Sequence, residues 1–121
     1  MIELESDKTY ISKQTEVTPS LDVGTKFDSG KRAWWYMGNL TEEFGEVIDV
    51  LEYGDNKYPS DDGCNWKSVK DAERRYVSAL FRHLTAYMSG EKCDPESGKS
   101  HLAHAITNSL FLLWFQNQQK L

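Results

Sequence analysis

Cysteine and proline are scarce: the 121-residue chain has two of the first and three of the second. Cys64 and Cys93 stand far apart, outside any Cys-x-x-Cys spacing, and no signal-peptide pattern precedes them. That argues against a disulfide scaffold or a zinc knuckle and points to a reducing, cytoplasmic setting. Long apolar runs are missing as well. The stretch around Leu110 to Phe115 falls far short of the roughly 20 residues a membrane-crossing helix needs, so no span is expected. No period-two run of β-branched residues, no Asn-Gly or Asp-Gly pair flanked by apolar alternation and no internal repeat is present, which argues against a sheet and a repeat array. Positive charge is in deficit too. A formal net charge of -5 disfavours a nucleic-acid polymer as partner, because non-specific affinity for the phosphate backbone comes from net Lys and Arg. A free nucleotide stays open, since a few placed cations with a bound metal hold a triphosphate whatever the overall charge.

What remains reads as one all-α domain behind an N-terminal arm. Residues 1–25 are polar and mixed in charge, with Pro19 and Gly24 and no sustained apolar period, which reads as an extended or disordered arm; residues 26–121 form the domain. The first convincing helix begins after Asn39, where Asn39 and Glu42 have capping-box spacing, and runs to about Tyr53 before the stop Gly54-Asp55-Asn56. Phe44, Val47, Ile48 and Leu51 form its packed stripe. A second helix is expected from Val69 or Asp71 to Ser89, with Val77, Leu80, Leu84 and Met88 on one side and Gly90 ending it. After a loop from Glu91 to Lys99, Ser100 caps a third, mostly apolar helix reaching about Gln116. Trp34 to Met37 fits either a short extra helix or an aromatic plug.

Several residue sets could carry chemistry. Glu43 and Glu46 lie one helical step apart, so both carboxylates share one face and can share a cation; Glu42 and Asp49 border them. The same stripe is equally what the solvated face of an amphipathic helix looks like. On the third helix His101, His104 and Asn108 trace a polar line through apolar neighbours, and such groups must find partners. They can ligate a metal, donate to phosphate oxygens, or simply be satisfied inside the core. Arg75 and Arg82 on the second helix are seven residues apart and nearly eclipsed, with His83 adjoining, which gives a cationic rail for phosphates or a pair of ordinary ion-paired arginines. Asn65 and Trp66 offer an amide and an indole to a base, or a core anchor. Lys26 to Lys31 is a charged turn around Gly30 and lacks the spacing of a P-loop.

Taken in order, Lys26-Phe-Asp-Ser-Gly-Lys31, Glu46, Tyr53-Gly54, Lys57-Tyr58, Asn65-Trp66, Arg82-His83-Leu84, Gly90-Glu91, Asp94, Glu96-Ser97-Gly98, His101-Leu-Ala-His-Ala105 and Asn108 resemble one family. It is the phage dATP/dGTP diphosphohydrolases of the MazZ type, relatives of the MazG all-α nucleotide pyrophosphatases. The resemblance runs from Lys26 to Trp114 and is most specific from Arg82 to Asn108. The superfamily's Glu-x-x-Glu helix is matched by Glu43-Phe-Gly-Glu46. Its later Glu-x-x-Asp helix has two counterparts here: Glu91-Lys-Cys-Asp94, which has the spacing but lies in a loop, and His101-Leu-Ala-His104, which has the position but imidazoles for carboxylates. Between Arg32 and Leu40 the family's proline-bearing Leu-Leu-Pro segment is replaced by Ala-Trp-Trp-Tyr-Met.

The resemblance implies a nucleoside triphosphate pyrophosphohydrolase acting on dGTP or dATP with Mg²⁺ or Mn²⁺. The implied metal donors are Glu43, Glu46, Asp94, Glu96 and His104, and the implied catalytic groups are Glu43, Glu46, His101 and His104. Lys26, Asp28, Lys31, Lys57, Asn65, Trp66, Arg75, Arg82, His83 and Asn108 are the expected substrate contacts. A phage origin would place it in the host cytoplasm, remodelling a nucleotide pool. The rival readings are a nucleotide sink or sensor without turnover, and a structural oligomerisation module. Apolar surface in excess of what three helices can bury leads us to expect a homodimer or homotetramer.

Overall fold

Ser100 and Gly90 do the local work that delimits two of the three helices. The computed structural model describes residues 23–119, so most of the expected arm lies outside the described residues. They fall into two compact units, one ending at Asn39 and one beginning at Leu40. The second unit holds α1 (Thr41–Lys57), a 3₁₀ turn at Asn65–Ser68, α2 (Ala72–Met88) and α3 (His101–Gln118). The first holds a 3₁₀ turn at Trp34–Asn39, in which Trp35 stacks on Tyr36 at 4.6 Å between ring centres, so the aromatic segment is a short helical turn. No strand occurs among the described residues; Cys93 and Ser100 form an isolated antiparallel bridge. The all-α expectation holds.

Ser100 caps α3 by accepting from the Leu102 and Ala103 amides, a contact worth ~1 kcal/mol in comparable helices. At the end of α2, Gly90 takes φ 103°, a conformation that a Cβ would strain. Its amide donates to the Tyr87 carbonyl and the Glu91 amide to that of Ala86, the paired bonds of a Schellman stop. The start of α1 differs from expectation. Leu40 occupies the cap with no side-chain bond to the helix, so Asn39 and Glu42 form no capping box. Gly54 does not end α1 either, because Tyr58 donates back to the Gly54 carbonyl and carries the helix to Lys57.

α3 is the central element, packing on both α1 and α2, while the Asn65–Ser68 turn packs on α2. Its closest apolar packing uses small side chains: Val47, Val50, Ala72, Ala103 and Ala105 are buried, whereas among the described residues no large side chain is fully enclosed. Two residues assigned to packed stripes are not packed. Ile48 is 51% exposed and Met88, the last residue of α2, 82% exposed; the packing of α1 and α2 on α3 leaves both uncovered. Larger side chains instead gather in an aromatic cluster: Trp66 stacks on Phe111 at 4.3 Å and meets Trp114 and Phe115 edge-on, and Tyr76 lies against Phe111 and Phe115. The Tyr76 hydroxyl donates to the Trp66 carbonyl at 3.0 Å and ties the 3₁₀ turn to α2.

Candidate functional site

Packing α3 between the other helices leaves an open cleft of about 510 Å³ in the second unit. Its walls come from every element there. Val50, Tyr53 and Lys57 on α1 recur at helical spacing and face it; Asn65 and Trp66 come from the 3₁₀ turn, Arg75 and Arg82 from α2, and His104, Asn108 and Phe111 from α3. Seven of the expected site residues, Lys57, Asn65, Trp66, Arg75, Arg82, His104 and Asn108, are thereby brought to one cavity. Trp66 serves two roles, lining the cleft while Phe111 covers one face of its indole.

Arg75 and Arg82 bring positive charge to the cleft, beside Lys57 and Lys70. The two arginines lie seven residues apart, about 10.5 Å along α2, and neither forms an ion pair with a carboxylate among the described residues. Arg75 makes one long contact, 3.5 Å, to the Lys70 carbonyl, and it is Arg74 that pairs with Asp71, at 2.8 Å. Both also line a second polar groove with Asp71, Arg74 and Ser78. The cavity is thus lined both by cationic side chains and by the aromatic groups Trp66, Tyr76 and Phe111. Burial raises the Tyr76 phenol above its ordinary pKa, so it remains the neutral donor its bond requires.

The polar line on α3 is buried. His101, His104, Thr107 and Asn108 are each less than 9% exposed, and each has a partner, as the cost of burying an unpaired polar group demands. Thr107 and Asn108 donate back to the Ala103 and His104 carbonyls at 2.8 and 2.9 Å. His104 meets the Ser97 hydroxyl through Nε2 at 2.7 Å and lies 3.7 Å from Asp94. His101 meets Glu91 through Nε2 at 2.7 Å and His83 through Nδ1 at 2.8 Å. The His83 ring stacks on that of His104, 4.3 Å apart and nearly parallel. Burial pushes the His104 imidazole down, and burial with the neighbouring His104 pushes His83 to about 4, so both rings are neutral at neutral pH.

The acidic residues divide into two groups. Glu96 accepts from both Lys57 and Tyr53. The Lys57 bond, followed by that of Tyr53, holds its carboxyl below the usual carboxylate range, while the carboxylate in turn raises the phenol and the ammonium. Asp94 organises its own loop, accepting from the Glu96 amide and taking the Gly98 amide on its carbonyl. Glu43 and Glu46, in contrast, are exposed and form no hydrogen bond or ion pair among the described residues. Helical register places them on the face of α1 that carries Val50, Tyr53 and Lys57, one to two turns toward its N-terminus. Among the described residues no three His, Cys, Asp or Glu side chains gather to hold an ion, so Glu43, Glu46, Asp94, Glu96 and His104 do not close a protein-only shell. Glu43 and Glu46 do suit Mg²⁺ or Mn²⁺ held in the manner common for triphosphates, by one or two carboxylates with water and phosphate oxygens completing the shell.

Lys26, Asp28 and Lys31 belong to the first unit, where the Lys31 amide closes a turn on the Asp28 carbonyl and Gly30 takes φ 80°. Glu91, read as one end of a Glu-x-x-Asp metal motif, has its carboxylate on His101. Three contributors escaped the reading of the sequence as actors: Tyr53, which shares Glu96 with Lys57; Tyr76; and Ser97, which meets His104. Tyr53 could have been found from its four-residue spacing to Lys57. Nothing local marks the others, because their partners lie on other elements.

A helical unit with a cationic and aromatic cleft fits proteins that take up small phosphorylated aromatic ligands. The model of the family described as dATP/dGTP diphosphohydrolase, N-terminal, matches residues 22–121, and the chain belongs to that family. It is similar to a dATP/dGTP diphosphohydrolase of Salmonella phage PMBT28, 32% identical over 97 residues, which cover 80% of this chain and 31% of the phage protein. The chain thus matches under a third of that relative's length. No solved structure matches it. No helix among the described residues is long and apolar enough to cross a membrane.

Proposed function

We propose that this protein hydrolyses dGTP or dATP to the monophosphate and pyrophosphate, in a metal-dependent reaction that remodels a nucleotide pool, in the host cytoplasm if the chain is phage-encoded. One observation carries the reading: two arginines without ion-pair partners among the described residues line a cleft that also presents aromatic side chains. An unpaired guanidinium pair on a chain of net charge -5 is a standing attraction for polyphosphate, and its planar donors match phosphate oxygens. The name of the phage relative supports the substrate class.

In this arrangement Arg75 and Arg82 neutralise the β- and γ-phosphates, Lys57 adds a third cation at the mouth, and Asn65, Asn108 and Trp66 meet the nucleoside. His104, kept neutral by burial, offers a nitrogen beside the phosphates without adding charge. A Mg²⁺ or Mn²⁺ ion held by Glu43 and Glu46 would supply charge neutralisation at the phosphate oxygens and lower the pKa of water. His83 is a further expected substrate contact in this unit, and Asp94 and Glu96 set the loop beside His104.

The apolar surface supports a homodimer or homotetramer. Leu102, Ile106, Leu110 and Leu113 form one exposed stripe on α3, a helix with no charged residue from His101 to Gln118. A stripe of that kind is costly in water and pairs well with its own copy.

The test is a panel of the four dNTPs with Mg²⁺ or Mn²⁺, followed by pyrophosphate release. Release from dGTP or dATP that Glu46→Gln abolishes supports the reading. Tight binding without release would indicate a nucleotide sink, and full activity in Glu46→Gln would remove the metal assignment. Neither binding nor release would leave a structural module.

A further inference from the structure

Asp55 is the one acidic side chain among the described residues that line the cleft. Lys57, Lys70, Arg75 and Arg82 line the same cavity, yet Asp55 pairs with none of them, and Lys57 is taken by Glu96. Its carboxylate makes no hydrogen bond among the described residues, and no two further His, Cys, Asp or Glu side chains join it to hold an ion. What it does touch is the turn that leads into Asn65 and Trp66. There Asp62 accepts from the Cys64 amide at 2.9 Å and the Gly63 amide donates to the Ser60 carbonyl at 3.3 Å, with Gly63 at φ 70°. A Cβ on Gly63 would stand 3.7 Å from Asp55 Oδ1. The carboxylate therefore lies against bare backbone, two residues before Asn65 and three before Trp66, and all four residues line the cleft.

That position limits what the carboxylate can meet. Next to a triphosphate, an uncompensated carboxylate is repelled by like charge. Beside an amide and an indole it meets a base, where it can only accept. Of the four DNA bases, guanine alone presents two adjacent N–H donors, on N1 and on the exocyclic N2, and one carboxylate accepts both. Adenine turns a bare N1 to the same edge, so acceptor would face acceptor. We infer that Asp55 reads the Watson–Crick edge of guanine and makes this cleft select dGTP over dATP. The Asn65 amide supplies an N–H donor for guanine O6. This rests on the cleft being the nucleotide site proposed above, and it narrows the substrate of that site. A site built to hydrogen-bond a donor discriminates against the analogue that lacks it.

The deoxynucleoside monophosphates test this without turnover. In calorimetric titration of the intact chain, dGMP should bind on the order of tenfold more tightly than dIMP, which keeps N1–H and lacks the N2 amine, and dAMP should bind weakest. In Asp55→Asn the dGMP affinity should fall on the order of tenfold while that for dAMP stays within about twofold. Thermal unfolding should be unchanged, because Asp55 is exposed and without a bonded partner among the described residues. Equal affinities of the wild type for the three, or no binding of any, overturn the inference. An equal loss for all three in Asp55→Asn also overturns it, since the carboxylate would then serve the sugar or a metal. Pyrophosphate release from dNTPs alongside such results leaves the hydrolytic reading standing. Should the wild type prefer dGMP as expected and yet release no pyrophosphate from dGTP, the hydrolytic reading fails and the guanine assignment holds.

Discussion

The two faces of α3 reverse the usual order of a globular helix. On one face His101, His104, Thr107 and Asn108 are buried although polar; on the opposite face Leu102, Ile106, Leu110 and Leu113 are between 39% and 50% exposed although apolar. The polar face tolerates burial because every group on it has a hydrogen-bond partner and because part of it opens on the cleft. The apolar face has no such compensation among the described residues of this unit. The difference teaches that burial along α3 follows from partners on other elements and not from hydropathy alone.

The largest effect should come from starving the polar side of its cations. Arg82→Ala should lower kcat/KM for dGTP or dATP about 10²-fold, the loss of roughly 3 kcal/mol expected when a preorganised donor to transition-state charge is removed. Because Arg82 is exposed and without a carboxylate partner, its melting temperature should not move; a drop in both would mean the residue is structural. Next comes the apolar side. Introducing charge there with Ile106→Glu and Leu110→Glu should convert a concentration-dependent assembly into a monomer, read by light scattering, with helical content kept. A wild-type monomer at all concentrations would show that nothing of its own kind covers the face.

Acid should act on the polar side before the apolar one. The folded state holds His83 at about 4 against the ordinary imidazole value of 6.5, so the unfolded chain binds the proton first. Stability is therefore present above about pH 6.5 and is lost as pH falls toward 4. Glu96, also held low by Lys57 and Tyr53, loses its contribution only as pH falls further, through its depressed folded value. Chemical denaturation across that range checks the order, and an unchanged midpoint between pH 6.5 and 4 would contradict the buried, neutral His83. The smallest expected effect belongs to the cap common to both faces: Ser100→Ala should cost ~1 kcal/mol in unfolding free energy and leave activity near that of the wild type.

Much of the architecture was readable beforehand, for physical reasons that differ by element. Ser100 and Gly90 announce helix ends because the backbone chemistry they satisfy is local. Leu40 gives no such signal, and Gly54 gives a misleading one: its helix-interior cost of ~1 kcal/mol is offset where Tyr53 and Lys57 share Glu96 and the Tyr53 ring meets His104 edge-on. Met88 and Ile48 fit their stripes by period, yet period does not report how wide the neighbouring helix is. At the site, the eclipsed spacing of Arg75 and Arg82 was visible, but whether carboxylates would quench them was not. The partners of the histidines lay hidden for the same reason, since Glu91 and His83 reach His101 only once α2, the loop and α3 are folded together. The approach of Glu43 and Glu46 to a metal depends on oxygen donors that a nucleotide itself would bring.

The decisive observation is which phosphorus bond breaks. With dGTP or dATP and Mg²⁺, ³¹P NMR of a reaction mixture should show monophosphate and pyrophosphate growing in equal amounts, with no diphosphate or free phosphate at early times. Saturable binding without any new phosphorus signal, or appearance of the diphosphate with inorganic phosphate, would contradict the reading of this cleft as the site of α–β hydrolysis.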